Sequence, residues 1–202
     1  METATTSNRK LVLGDILEQR AYERIRETRR AEVIEIKRRR RVSLGTIVTV
    51  NFENRDTMQS QIQEMLRVEH VVSDEGVLDE LKAYNPLIPD AGQLCATVFI
   101  ELVTDDQMRE WLTKLVDIEK AIAIKLPSGE LVRSIVDEAH AEQLTRETST
   151  AAVHYIRFEL TPQQVAEFAK GNVQVVSTLS NYLEVSELAD FTVEELLKDL
   201  RD

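Results

Sequence analysis

Cysteine is nearly absent: Cys95 is the one thiol in 202 residues. A lone thiol excludes an intrachain disulfide, a cysteine-ligated zinc site and an iron–sulfur cluster held by this chain alone. It fits a reducing compartment, so a cytoplasmic protein is expected. Glycine is scarce, at six residues, and no glycine-rich loop or G-x-x-x-x-G-K-[ST] cradle for phosphates occurs. The three histidines, His70, His140 and His154, stand far apart, without the H-x-x-x-H or H-E-x-x-H spacing of a metal helix. No apolar run approaches a membrane span, and the opening METATTSNRK lacks the apolar region of a secretory signal.

What is present is an ordinary globular composition, 43% hydrophobic and 30% charged, long enough to bury a core without staples. The net charge of −11 is unevenly spread. Residues 1–41 hold 12 basic against 7 acidic side chains, and the remainder holds 13 against 29. An acidic body argues against a nucleic-acid protein.

The organising stretch is Thr49–His70. Val48, Val50 and Phe52 alternate as in a strand, and Met58, Ile62, Met65 and Leu66 then fall on one helical face. Before it, residues 1–10 read as a polar tail. Asp15 and Glu18 resemble a helix-starting box, and Tyr22, Ile25, Val33 and Ile36 stripe a helix to about Arg40. Gly45 marks a bulge or a turn between two short strands. After it, Ser73 caps a helix to about Ala83, and Asn85–Asp90 is a proline-bounded loop. Cys95–Leu102 is a strand. Thr104/Gln107 is a capping box, with Val103 and Met108 placed as a hydrophobic staple. Ala121–Leu126 is a strand turned back by Pro127-Ser128-Gly129. Residues 134–150 form a helix and loop. In the next strand Val153, Tyr155 and Arg157 share one face, and His154, Ile156 and Phe158 the other. Thr161 with Pro162 starts a helix closed by Gly171, Val173–Thr178 is a strand, and Thr192/Glu195 caps the last helix. The fold class is α/β (α+β): a single domain at 11–202, with a mixed β-sheet and helices packed on it. It divides into a basic helical segment (11–41), a sheet-and-helix body (42–185) and a C-terminal helix (186–202).

Few motifs carry chemistry. Lys37–Arg41 is either an anion patch or a helix end whose cations suit the macrodipole. Asp137-Glu138-Ala139-His140 spells a helicase box without its phosphate cradle and reads as chance. Cys95 reads as a buried small hydrophobe. Leu87 and Ile88, held between Pro86 and Pro89, either close the core or face a partner; with Asn85 they form the candidate interface. Arg55, Glu64, Arg67, Glu69, His154 and Arg157 form the candidate pocket. There the arginines would grip a carboxylate or phosphate, and His154 or a carboxylate would handle a proton. A metal at His154 with Glu64, Glu69 or Glu159 is a weaker version; no metal or cofactor is assigned.

Several segments together resemble an uncharacterised bacterial family, domain of unknown function family 3501. They are the basic run ending Arg41-Val42, Thr57-Met58-Gln59 with Gln63–Arg67 and Glu69, Ala83–Pro89, and Ala152–Phe158. The likeness spans about Leu11 to Val176. It implies a setting beside rubrerythrin-like and heterodisulfide-reductase-type iron–sulfur proteins, and so a redox protein partner. The expected function is therefore a non-catalytic accessory or binding protein, self-associating as a homo-oligomer. The alternative is a small-ligand binder or enzyme using the Arg/Glu/His pocket.

One expectation is geometric. At ~100° per residue from Met58, Glu69 falls near ~20°, in the middle of the apolar face. A buried charge needs a partner, so Glu69 is expected to be buried against an arginine: Arg29 first, then Arg55 or Arg157.

Overall fold

Arg40, inside the loudest charge run, is 1% exposed in the computed structural model, which describes residues 9–136 and 149–201. It closes helix α1 (Gln19–Arg40), which runs unbroken. Its neighbours stay outside: Arg38 and Arg39 both pair with Glu35, and Arg41 pairs with Glu101. The run supplies the cations of the last turn of α1, as its helix-end reading has it, but it is not wholly solvated, because Arg40 is a core group.

Strand β1 (Arg41–Leu44) continues directly from α1 and turns into β2 (Val48–Glu53) at Gly45. Of the two readings of Gly45, the turn is observed: its φ is +68°, and a Cβ there would clash with the Tyr182 hydroxyl. Helix α2 (Arg55–Val68) follows, capped by Asn54, and then α3 (Asp74–Tyr84), capped by Ser73. Strand β3 (Gln93–Ile100) leads to α4 (Asp105–Lys114), the single turn α5 (Ile118–Ala121), and β4 (Ile122–Lys125), β5 (Leu131–Arg133) and β6 (Ile135–Val136). Then come β7 (Val153–Glu159), α6 (Pro162–Phe168), β8 (Gln174–Leu179), β9 (Tyr182–Glu187) and α7 (Asp190–Arg201). The expected helix over 134–150 and the Asp137–His140 box fall mostly outside the described residues.

The α/β class with helices on sheet holds, but the single mixed sheet does not. The strands form two sheets, β1-β2-β3-β7-β6 and β5-β4-β8-β9, and every pairing is antiparallel. Turns of three, five and two residues join β1 to β2, β4 to β5 and β8 to β9, and connections that short allow only antiparallel pairing. Strand β9 has no counterpart in the sequence reading. Its outward Leu183 and Val185 are exposed, which blurs the alternation.

One core joins the sheets. Val48, Val50, Phe52, Leu94, Val98, Ile156 and Phe158 of the first sheet meet Ile122, Ile124 and Val175 of the second, closed by Leu196 and Leu200 of α7. A second cluster gathers Leu11, Met58, Ile62, Leu66, Leu81 and Ile88. A strap ahead of α1 is stitched to it by side-chain amides. Asn85 accepts from the Leu11 N–H and donates to its carbonyl, and Gln63 does the same for Leu17. The Asp15/Glu18 box does not start α1: Leu13–Asp15 is a 3-10 turn and Glu18 is the cap residue. The Thr104/Gln107 box forms, but its staple does not, with Val103 86% exposed. Helix α7 starts two residues before Thr192, so Glu195 is released from capping.

Candidate functional site

The six candidate pocket residues do not share one cleft. Arg55 and Glu69 bracket α2, which at ~1.5 Å per residue places them roughly 20 Å apart. Arg55 pairs with Asp15 at 2.7 Å. Glu64 accepts from Arg26 at 2.8 and 2.9 Å and from the Tyr22 hydroxyl at 2.7 Å. These bonds, the Arg26 pair first, hold its carboxyl down at about 2. Arg67 pairs with Glu23 at 2.6 Å and lies 4.0 Å from Glu64. Arg157 is engaged with Glu159 on the outer face of β7, while His154 points from the opposite face into the core.

Glu69 overturns the geometric expectation: it is exposed and has no arginine partner among the described residues. Helix α2 stops at Val68, His70 takes a left-handed φ of 57°, and the Val71 N–H returns to the Leu66 carbonyl at 2.9 Å. This closure turns the chain away before Glu69 can extend the apolar stripe. Arg29 instead binds Asp56 at 2.8 Å, Gln59 and Glu32.

The proline loop packs on the second core, as the first of its two readings has it. Ile88 closes the second core at 1% exposure, and Asn85 is spent on Leu11. Leu87 is half-buried at the edge of a pocket of about 300 Å³. Its walls are Met65 of α2, Glu80, Ala83 and Tyr84 of α3, Pro86 and Leu87 of the loop, and Cys95, Tyr155, Ile156 and Arg157 of the sheet, with Ile135 beside them. Strand register explains the sheet side, since Cys95 lies opposite Arg157, and Thr97 opposite Tyr155. Burial raises the Tyr155 hydroxyl, with Tyr84 and Glu53 adding to the effect, and burial also raises Glu80, helped by Glu69 and Asp79. A second groove, of about 690 Å³, runs between the strap, α1, α2 and α3, and Arg67 lines it.

Residues 10–200 match the family described as "Protein of unknown function (DUF3501)". The chain belongs to this family. It is also similar to a crystal structure described as a novel protein of unknown function from Burkholderia pseudomallei K96243. The two share 34% identity and a TM-score of 0.85 over 96% of this chain and 100% of that one. No curated protein matches. In this DUF3501 member no helix among the described residues is long and apolar enough to cross a membrane.

Cys95 is buried, and burial pushes its thiol up to about 12. A thiol is reactive as the thiolate, so native protein near neutral pH should react with a disulfide reagent at least ~100-fold more slowly than urea-unfolded protein. Equal rates would show that the strand end opens to solvent.

Sequence reasoning missed one polar cluster. Glu119 of α5 and His154 of β7 are each 1% exposed, with His154 Nδ1 3.8 Å from Glu119 Oε2. Glu119 reads as an ordinary surface charge in Asp117-Ile118-Glu119-Lys120, and only the left-handed Asp117, φ 67°, turns α5 inward. The glutamates considered for His154 are elsewhere: Glu64 with Arg26, Glu69 in solvent and Glu159 with Arg157. Among the described residues no three or more His, Cys, Asp or Glu side chains cluster as a metal site.

Proposed function

We propose that this DUF3501 member is a non-catalytic accessory or binding protein, working in the cytoplasm beside a redox partner, with the pocket under Asn85–Pro89 as its binding element. The observation that carries the binding part is a contrast. Arg55, Glu64, Arg67 and Arg157, the charges best suited to grip or catalyse, are each engaged in an ion pair. The roughly 300 Å³ pocket, walled by Met65, Tyr84, Leu87 and Tyr155, stays open. A mostly apolar concavity with few polar groups is the usual form of a small-molecule site. Its ligand would have a mostly apolar body. The redox partner rests on the family resemblance alone, since the buried Cys95 offers no redox chemistry of its own.

A small-molecule screen by thermal shift tests the pocket. Compounds that raise the melting temperature of the wild type should lose that effect in Ala83→Phe, which places a ring at the pocket wall. Hits that persist in that variant bind elsewhere and remove the pocket from the proposal. For the partner and the homo-oligomer, capture from the native host should recover a rubrerythrin-like or iron–sulfur protein, and sedimentation should show an assembly. Recovery of no redox protein, with a strictly monomeric profile, would sink that half.

A further inference from the structure

We infer that Glu119 and His154 are the two protein ligands of a buried divalent metal site, one that takes a borderline first-row ion such as zinc, cobalt or iron. The inference is independent of the pocket and begins with a carboxylate that has nothing to do. Both oxygens of Glu119 are buried, and among the described residues neither has a hydrogen-bond partner. Among the described residues, the one charged or chargeable group set against them is His154. An isolated buried carboxylate is strongly unfavourable, and native interiors almost always satisfy such groups.

The imidazole sharpens the problem. His154 Nε2 lies 2.9 Å from the Ala151 carbonyl oxygen and 2.8 Å from Thr150 Oγ1. A carbonyl only accepts, so Nε2 carries the hydrogen. In the neutral ring Nδ1 then presents a lone pair to the carboxylate 3.8 Å away. Two acceptors face each other across a gap too long for a hydrogen bond, and a cation between them resolves both deficits. The gap has the right width: metal–nitrogen and metal–oxygen bonds of about 2.0–2.1 and 2.0–2.2 Å sum to slightly more than the separation. One ion can therefore touch both atoms without moving either.

The surroundings have the form that supports a metal-binding histidine, whose remote N–H is normally held by a carbonyl or carboxylate. Here Ala151 supplies that acceptor, and the Thr150 N–H is itself fixed to the Leu112 carbonyl at 2.9 Å. On the other side, the Ser134 hydroxyl donates to the Glu119 carbonyl at 2.6 Å, which fixes the α5 turn. Both Glu119 oxygens are free, so the pair offers three donor atoms, one nitrogen and two oxygens. Mixed imidazole and carboxylate donors suit zinc, cobalt and iron rather than calcium or magnesium.

The test uses the full-length chain stripped with chelator, then titrated with cobalt(II) or zinc(II) and followed by calorimetry and by the visible cobalt bands. The expected result is one equivalent bound, with cobalt bands characteristic of nitrogen and oxygen ligands and a rise in melting temperature. Glu119→Gln, close in shape and free of charge, should weaken binding at least ~100-fold while its circular dichroism stays native, and His154→Gln should do the same. If one of these variants fails to fold, the other decides. Failure of the wild type to take up metal overturns the inference. So does equal uptake by wild type and Glu119→Gln. A Glu119→Gln protein that melts well below the metal-free wild type would also overturn it, by showing that a proton or a water already answers the carboxylate.

Discussion

Replacing Arg40 by methionine should destabilise the fold by about 3–5 kcal/mol, the range found when one partner of a buried ion pair is removed. Arg40 reaches Asp199 at 2.6 Å and Glu195 at 3.0 Å, and both carboxylates are only 12% exposed. Burial pushes the Asp199 carboxyl up despite Arg40. Burial acts on Glu195 too, but there the bonds from Lys198 and Arg40 prevail and hold it below the usual range. Without the guanidinium, two half-enclosed acids face each other at the junction of α1 and α7. Arg40→Lys should fall between, because one ammonium cannot match a fork that bonds two carboxylates at once. Asp199→Asn in the Arg40→Met background should recover part of the loss by removing one stranded charge. Urea unfolding at neutral pH measures all three. A wild-type midpoint for Arg40→Met would show that the buried triad contributes no net stability.

That triad also marks where the sequence stops being legible. Capping signals were readable because their chemistry is local: the Thr104/Gln107 box forms as spaced, and Thr161 caps the helix that Pro162 opens. The two faces of β7 were readable because period two survives in Val153–Phe158, with His154, Ile156 and Phe158 buried on one side. Arg40 and Glu195 are 155 residues apart, and nothing in a run of five basic residues says which one turns inward. Thr192 and Glu195 have capping-box spacing, yet the tertiary ion pair takes the glutamate. Glu69 failed for a related reason. A helical wheel assigns a face only while the helix continues, and α2 ends one residue earlier. The charge that does belong between α1 and α2 is Glu64, which lies ~140° around the helix from the middle of the apolar stripe and there meets Arg26 and Tyr22. The Glu119–His154 pair leaves no periodic or spacing signal at all.

Stability should bend at both ends of the pH scale through that Glu64 contact. With its carboxyl held down from 4.5 to about 2, Glu64 contributes stability that is complete above the unfolded value. The contribution fades as pH falls below about 4.5 and is gone once pH passes below about 2. The displacement corresponds to about 3 kcal/mol at ~1.4 kcal/mol per tenfold change in proton affinity. With 29% of the side chain open to solvent, screening brings the expected loss in Glu64→Gln at pH 7 to about 2 kcal/mol. The gap between mutant and wild type should close as pH is lowered toward 2. The alkaline side has the opposite sign. Burial, reinforced by the bond to Glu64, raises the Tyr22 hydroxyl from 10.0 to about 12. The folded protein keeps that proton where the unfolded chain loses it, so the contribution is complete below 10 and disappears as pH rises through about 12. Tyr22→Phe removes the titrating group and should flatten this alkaline decline, while costing about 1 kcal/mol at pH 7 for the lost hydrogen bond. Urea midpoints for wild type, Glu64→Gln and Tyr22→Phe at pH 3, 7 and 11 give the comparison. A Glu64→Gln deficit as large at pH 3 as at pH 7 would mean that the carboxylate's charge does not hold α1 to α2. The contact would then act through shape alone.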